Sequence, residues 1–153
     1  MDQRPIYRRR IEISARQSES EGIVRVALED DFHHFRLALR HDKRYITDID
    51  GQSPRIPYSL CPVAAGQLQD LVGIPLSTVP QAVMGATDTR NQCTHLLDMA
   101  GLAMAAAMRG TTWQSYDVEV PARQNNHTTA RLWRDGELLL DWDMDHLTIR
   151  GPS

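Results

Sequence analysis

The residue pattern predicts an α+β fold, an antiparallel sheet packed against two or three helices with a C-terminal β-hairpin. Three observations carry this expectation. Strand-like alternation comes first, two segments with helical spacing follow, and alternation then returns around an Asp-Gly turn. Length and composition agree with one domain over 1–153, a main part at about 20–110 and a C-terminal strand and hairpin at about 114–149. Hydrophobic residues make up 41% and charged residues 24%, with 9 Gly and 8 Pro, which argues against a disordered or low-complexity chain.

Val24, Val26 and Leu28 share one side of a strand and Arg25 takes the other, after which Asp30 and Asp31 end the strand or form a turn. In the next strand Phe35, Leu37 and Leu39 share a face, and counting by twos puts His33 and His41 with them. His41-Asp42-Lys43-Arg44 is the reversal, Tyr45 to Asp50 the return strand, and Gly51 to Pro57 the break. Ala64, Ala65, Leu68, Leu71 and Val72 then form a helical stripe starting at Cys61 or Pro62, with Gly73 and Pro75 as the stop. A short helical turn is expected over Ser77 to Val83 and a loop over Met84 to Gln92. A longer helix follows on the stripe Cys93, Leu96, Leu97, Ala100, Met104, Ala107, Met108, capped by Asn91 or Thr94 and ended by Gly110. Tyr116, Val118 and Val120 mark another strand, Arg123 to His127 a polar loop, and Thr128 to Arg134 with Glu137 to Met144 a type I′ hairpin about Asp135-Gly136.

The formal net charge of −3 leaves no positive field for nucleic acid or an anionic membrane, and Arg8, Arg9 and Arg10 read as a solvated strand edge. No apolar stretch approaches the roughly 18 residues of a membrane span. Met1 to Arg10 carries charges with no apolar region after it, so a cytoplasmic protein with reduced thiols is expected. There is neither a glycine-rich phosphate loop nor a Gly-x-Ser-x-Gly elbow.

Chemistry concentrates in Asp30-Asp31-Phe32-His33-His34 and in Cys93-Thr94-His95, with Cys61 at the other helix start. Thiolate and imidazole suit zinc or iron, so His33, Cys61, Cys93 and His95 are the expected metal ligands. Thiol chemistry pairing Cys93 with His95 or Cys61 with His33 is the alternative, and both cysteines read equally well as buried small hydrophobes. On a formed helix Cys93 and His95 point about 200° apart, which opposes their pairing. Asp31, His33 and His95 are the expected catalytic residues, Asp31 through orientation or proton transfer, while Arg55 and Trp113 are the expected substrate contacts. His34, His127 and His146 read as surface residues, and His41 as a solvated residue beside a turn.

Three segments together carry a family resemblance: Glu29 to Phe35, Arg55-Ile56-Pro57-Tyr58-Ser59-Leu60-Cys61-Pro62, and Gln92-Cys93-Thr94-His95-Leu96-Leu97-Asp98. With the Leu132-Trp133-Arg134-Asp135-Gly136 hairpin they resemble the bacterial family catalogued as a domain of unknown function, number 2889. That resemblance spans roughly residues 5 to 150 and names a relative without naming a reaction. The order of elements also resembles the NifU/IscU-type iron-sulfur scaffold and its zinc-binding relatives. It implies Cys61 and Cys93 as ligands, with Asp31 or His33 in the early ligand position. The histidine here follows Cys93, Gln92 precedes it and the early cysteine is absent, so the resemblance implies a mononuclear metal rather than a cluster. Residues 116 to 149 are extra to that scaffold and are expected to cover the site. The expected function is a small-molecule-transforming enzyme of hydrolase or lyase type, with a homodimer left open. A sulfur or iron-sulfur carrier and a noncatalytic small-ligand binding domain are the alternatives.

Overall fold

The computed structural model describes residues 6–56, 61–145 and 148–152, with the side chains of 61–62 and 148–152 excepted. Eight antiparallel strands form one sheet: β1 Ile6–Gln17, β2 Gly22–Asp30, β3 His34–His41, β4 Ile46–Arg55, β5 Trp113–Pro121, β6 His127–Arg134, β7 Glu137–Asp145 and β8 Thr148–Pro152. Their spatial order is β4-β3-β2-β1-β5-β6-β7-β8. Between β4 and β5 lie α1 Cys61–Ala65, three 3-10 segments (Gly66–Leu71, Pro80–Ala86, Thr89–Asn91) and the long helix α2, Thr94–Arg109. The α+β class and the C-terminal hairpin are as the sequence predicts.

The arginine run is not at an edge. It lies in β1, the strand that joins β2 to β5. Alternation explains the placement: Ile11, Ile13 and Ala15 face the core while Arg8 and Arg10 face solvent and pair with Glu119 and Asp117 across β5. Such exposed pairs are worth about 0–1 kcal/mol each, so burial of the opposite face holds the strand.

Val24, Val26 and Leu28 of β2, Phe35, Leu37 and Leu39 of β3, and Ile46 and Ile49 of β4 are buried, as the alternation predicts. α2 packs across β1, β2 and β3, and the Pro80–Ala86 segment covers its other side. That double cover explains why the helix is apolar nearly all round, from Leu96 to Ala107. Gly101 lies against the Pro80 carbonyl, where no Cβ fits. Gly110 ends the helix in the left-handed conformation, φ 69°, its N–H donating to Ala106 and Ala107 carbonyls. The N-cap is Cys93, not Asn91 or Thr94, and no side chain caps it.

β4 runs on to Arg55 through the expected break. Gly51 stays in the strand, at a point where an added Cβ would stand 2.7 Å from Leu68 Cδ1. The first helix is α only to Ala65 and 3-10 to Leu71; Leu68 and Leu71 are buried, but Val72 is exposed. Both Asp135 (φ 52°) and Gly136 (φ 84°) have positive φ, as a type I′ turn requires. The stretch read as a polar loop holds a second tight turn at Asn125 and Asn126, with Gln124 and His127 exchanging two backbone bonds of 2.8 Å. β5 to β8 extend the sheet sideways from β1 instead of lying over α2. No helix among the described residues is long and apolar enough to cross a membrane.

His41 follows the alternation and not its turn: it is buried at 1% exposure, which corrects the solvated reading. Its Nδ1 accepts the Lys43 N–H at 3.2 Å, so the proton sits on Nε2, buried against Gly22 without a partner among the described residues. Burial pushes its pKa down, Lys43 adds to this and Asp42 opposes it. The unfolded chain therefore binds a proton that the folded chain resists. Stability should fall as pH drops through the ordinary imidazole value of 6.5 and level off below the folded value. Urea unfolding between about pH 7 and pH 5 should show this slope, and His41→Leu should reduce it, His95 with its own lowered pKa keeping the rest. Gly22→Ala, whose Cβ would overlap the His41 ring, should cost about 1–3 kcal/mol, read as a lower urea midpoint at unchanged slope.

Candidate functional site

Counting by twos along β2 from Val24 brings Asp30 onto the core side, and the same count along β1 brings Tyr7 and Arg9 beside it. The Asp30 side chain is 1% exposed. A carboxylate survives there only if donors replace its water. Oδ1 accepts the backbone N–H groups of Phe32 (2.9 Å) and His33 (2.8 Å), closing the β2–β3 turn. Oδ2 accepts from the Tyr7 hydroxyl (2.9 Å) and from Arg9 Nε and Nη2 (3.0 and 2.7 Å). His33 Nδ1 stands 2.9 Å from Oδ1. Burial alone would raise the Asp30 pKa, but the Phe32 N–H, Arg9 and His33 together hold it well below the usual carboxylate range.

An ionised Asp30 can only accept, so His33 Nδ1–H donates to the carboxylate; Nε2 has no hydrogen-bond partner among the described residues and carries the lone pair whenever the ring is neutral. Its ring lies 4.3 Å from His95 and 5.6 Å from Phe35, and Phe35 in turn stacks on His95 at 5.4 Å. His95, in the first turn of α2, faces Arg9 Nη2 through Nε2 at 3.2 Å. Arginine can only donate, so His95 Nε2 accepts and Nδ1 carries the proton. Burial lowers the His95 pKa first, then His33 whenever that ring is protonated, and Arg9, while Asp30 and Asp98 oppose them. His95 is thus a neutral N–H donor beside a histidine with a free lone pair.

The structure brings together His33 and His95 of the expected site residues. The carboxylate that touches His33 is Asp30, not Asp31, which is exposed and makes no hydrogen bond or ion pair among the described residues. Arg55 reaches the cluster through the main chain: Nη2 donates to the carbonyls of Asp30 (2.6 Å) and His33 (3.3 Å) and to Glu29 (3.3 Å). A cleft of about 560 Å³ opens at these strand ends, lined by Arg9, Asp30, Asp31 and Arg55 together with the solvent-facing Arg8, Arg10, Asp117 and Glu119; neither His33 nor His95 lines it. Trp113 lies elsewhere, paired with Ser14 on the solvent face of the sheet. Cys93 is half-buried against the core at the start of α2, and the Cys61 side chain lies outside the described residues, as does His146. Among the described residues no three His, Cys, Asp or Glu side chains are placed to hold a metal.

Tyr7 and Arg9 are not among the expected residues of this cluster, and Asp30 reads from sequence only as a strand end or, equally with Asp31, a ligand or base, although the alternation carried the signal. Val24, Val26, Leu28 and Asp30 form one uninterrupted core-facing series. A charged residue continuing such a series is a buried charge in need of partners.

No curated protein and no solved structure matches the chain. The family model described as a protein of unknown function (DUF2889) matches residues 8–109, about two thirds of the chain. The matched segment runs from β1 to the last residue of α2 and holds Arg9, Asp30, His33, Arg55, Cys61, Cys93 and His95, while β5 to β8 lie beyond it. The chain belongs to the DUF2889 family.

Proposed function

We propose that the protein is an enzyme of hydrolase or lyase type that transforms a small molecule, with Asp30 and His33 as its acid–base pair. One observation carries the reading: the buried Asp30 carboxylate holds His33 Nδ1–H at 2.9 Å and leaves Nε2 to take a proton. A carboxylate so placed fixes the imidazole orientation and stabilises the imidazolium formed when Nε2 accepts a proton. His95 Nδ1–H is the neutral donor for a carbonyl oxygen or oxyanion. Arg9 neutralises Asp30 and orients His95 at the same time, and Arg55 holds the turn that carries His33.

A second reading, a mononuclear zinc or iron at Cys61, Cys93 and a histidine, has its own support. Gln92, buried immediately before Cys93, donates from Nε2 to the Gln67 carbonyl at 2.7 Å, and Val63 and Ala64 share a cleft with Asn91 and Gln92. The two cysteine-bearing segments are therefore neighbours. His95 Nε2 is a poor ligand, since it already faces a guanidinium, so His33 Nε2 or His95 Nδ1 would serve. A bound metal would supply a polarised water or carbonyl.

Asp30→Asn should cost about 3–5 kcal/mol in chemical unfolding, because it leaves Arg9 facing a neutral group inside the cluster. Nitrogen-15 spectra should show His33 as the Nδ1–H tautomer, and Nε2–H in its place would overturn the acid–base assignment. Screened against a panel of esters, amides and hydroxy acids, His33→Gln should lose about 10²–10⁴ in turnover of any substrate found. Unchanged turnover would reject His33, and saturable binding without turnover would make the chain a binding domain. Elemental analysis of untagged protein separates the second reading: stoichiometric zinc or iron lost in Cys61→Ser and Cys93→Ser supports it, and full occupancy in both rejects it. Labile sulfide in brown protein would point to a carrier instead.

A further inference from the structure

A second cleft, of about 500 Å³, lies on the solvent face of the sheet, on the side away from α2. Strand register fixes its layout. One row across the strands runs Trp113, Ser14, Arg25, Ala38 and Asp50; in the next, Glu12, Ala27 and Arg36 stand side by side. Ala27 and Ala38 are diagonal neighbours, and their short side chains leave a floor between longer ones. Arg25 and Arg36 occupy the other diagonal over that floor. Neither guanidinium forms a hydrogen bond or ion pair with any described residue. Like charges at such spacing repel, and the diagonal carboxylates Glu12 and Asp50 are bonded to neither arginine, so an anion between the two guanidinium groups would relieve the repulsion. Trp113, 51% exposed, stands two strands from Arg25, or about 10 Å at the usual strand spacing.

We propose that this cleft binds a small aromatic anion, its ring on the Trp113 indole and its carboxylate or phosphate between Arg25 and Arg36. The cleft volume falls in the range of small-molecule sites. Glu12 and Asp50 flank the arginine pair on either side, so the positive region admits one anionic group and repels the next phosphate of a polyanion. The site is independent of Asp30 and His33, which lie on the other face of the sheet, and it gives Trp113 a ligand of its own.

Isothermal titration of the full chain with 1-naphthoate, adenosine monophosphate, cyclohexanecarboxylate and inorganic phosphate tests the proposal. Saturable binding is expected for one or both of the first two, which separates a carboxylate from a nucleotide source, and not for the last two. Arg25→Gln and Arg36→Gln should each weaken it about tenfold or more, the scale of one charge-assisted hydrogen bond. Ala27→Leu, which fills the floor without touching the core, should abolish binding with unchanged thermal unfolding, and Trp113→Ala should remove the preference for an aromatic ring. The proposal is overturned if none of the four probes saturates at millimolar concentration, if phosphate binds as well as naphthoate, or if Ala27→Leu leaves binding intact. Tighter binding of a single-stranded oligonucleotide than of the monophosphate would also overturn it, in favour of a nucleic-acid surface.

Discussion

A single buried carboxylate, Asp30, sets the arrangement of the corner where β1, β2, β3 and α2 meet. Removing a carboxylate from water costs several kcal/mol even after relaxation, and only a full set of donors offsets it. Those donors come from Tyr7 and Arg9 on β1 and from the main chain and ring of the turn after β2. The positions they supply are correspondingly exact. Arg9 lies against β2 with its second contact directed to His95, and His33 is turned inward although it sits in a connection of three residues, Asp31 to His33. Arg55 closes the other side by donating to the two carbonyls that flank the same turn. Chemistry-bearing residues distant in sequence are thus gathered by the electrostatic need of one group, with the apolar packing of α2 on the sheet beneath it.

The sheet divides the chain's polar residues between two environments with different consequences. Facing α2, a charge is desolvated and must be paired, so Asp30 is ionised, His95 and His41 are held neutral, and each has its protons assigned by its partners. Facing solvent, Arg8 and Arg10 pair with Glu119 and Asp117 of β5, and Arg25 and Arg36 pair with no described residue. Adjacent residues such as Arg8 and Arg9 therefore differ more in role than residues a hundred positions apart. This follows from the period of two in a strand.

The same period made most of the fold legible and also hid the centre of the site. Alternation at Val24, Val26 and Leu28 and at Phe35, Leu37 and Leu39 identifies two core strands and carries His33 and His41 to the correct side. The turn chemistry of Asp135-Gly136 fixes the C-terminal hairpin. β1 escaped because three consecutive arginines mask the alternation of Tyr7, Arg9, Ile11 and Ile13, and strand order across a sheet is not written in local sequence. The β4 break escaped because a glycine that permits close packing, as Gly51 does under Leu68, looks the same in sequence as one that ends a strand. In the cluster, His33 and His95 do lie together, while which carboxylate stands beside His33 depended on whether β2 had ended. It had not, and the side-chain count decides for Asp30.

Protonation in the cluster is constrained further by the way its members share partners. Arg9 bonds Asp30 and His95 at once, so a charge on His95 would stand against both Arg9 and the neighbouring His33 ring in a buried setting. Burial first and then Arg9 keep His95 neutral, and the Phe32 N–H with Arg9 keeps Asp30 charged. A proton entering this group has one described acceptor without a competing partner, His33 Nε2, and the positive charge it brings falls on the ring already bonded to Asp30. The second histidine then remains an N–H donor throughout, because the cation that fixes its tautomer is permanent. The two neighbouring rings therefore differ in surroundings: His33 Nε2 is without a described partner, while both Arg9 and burial act against a charge on His95.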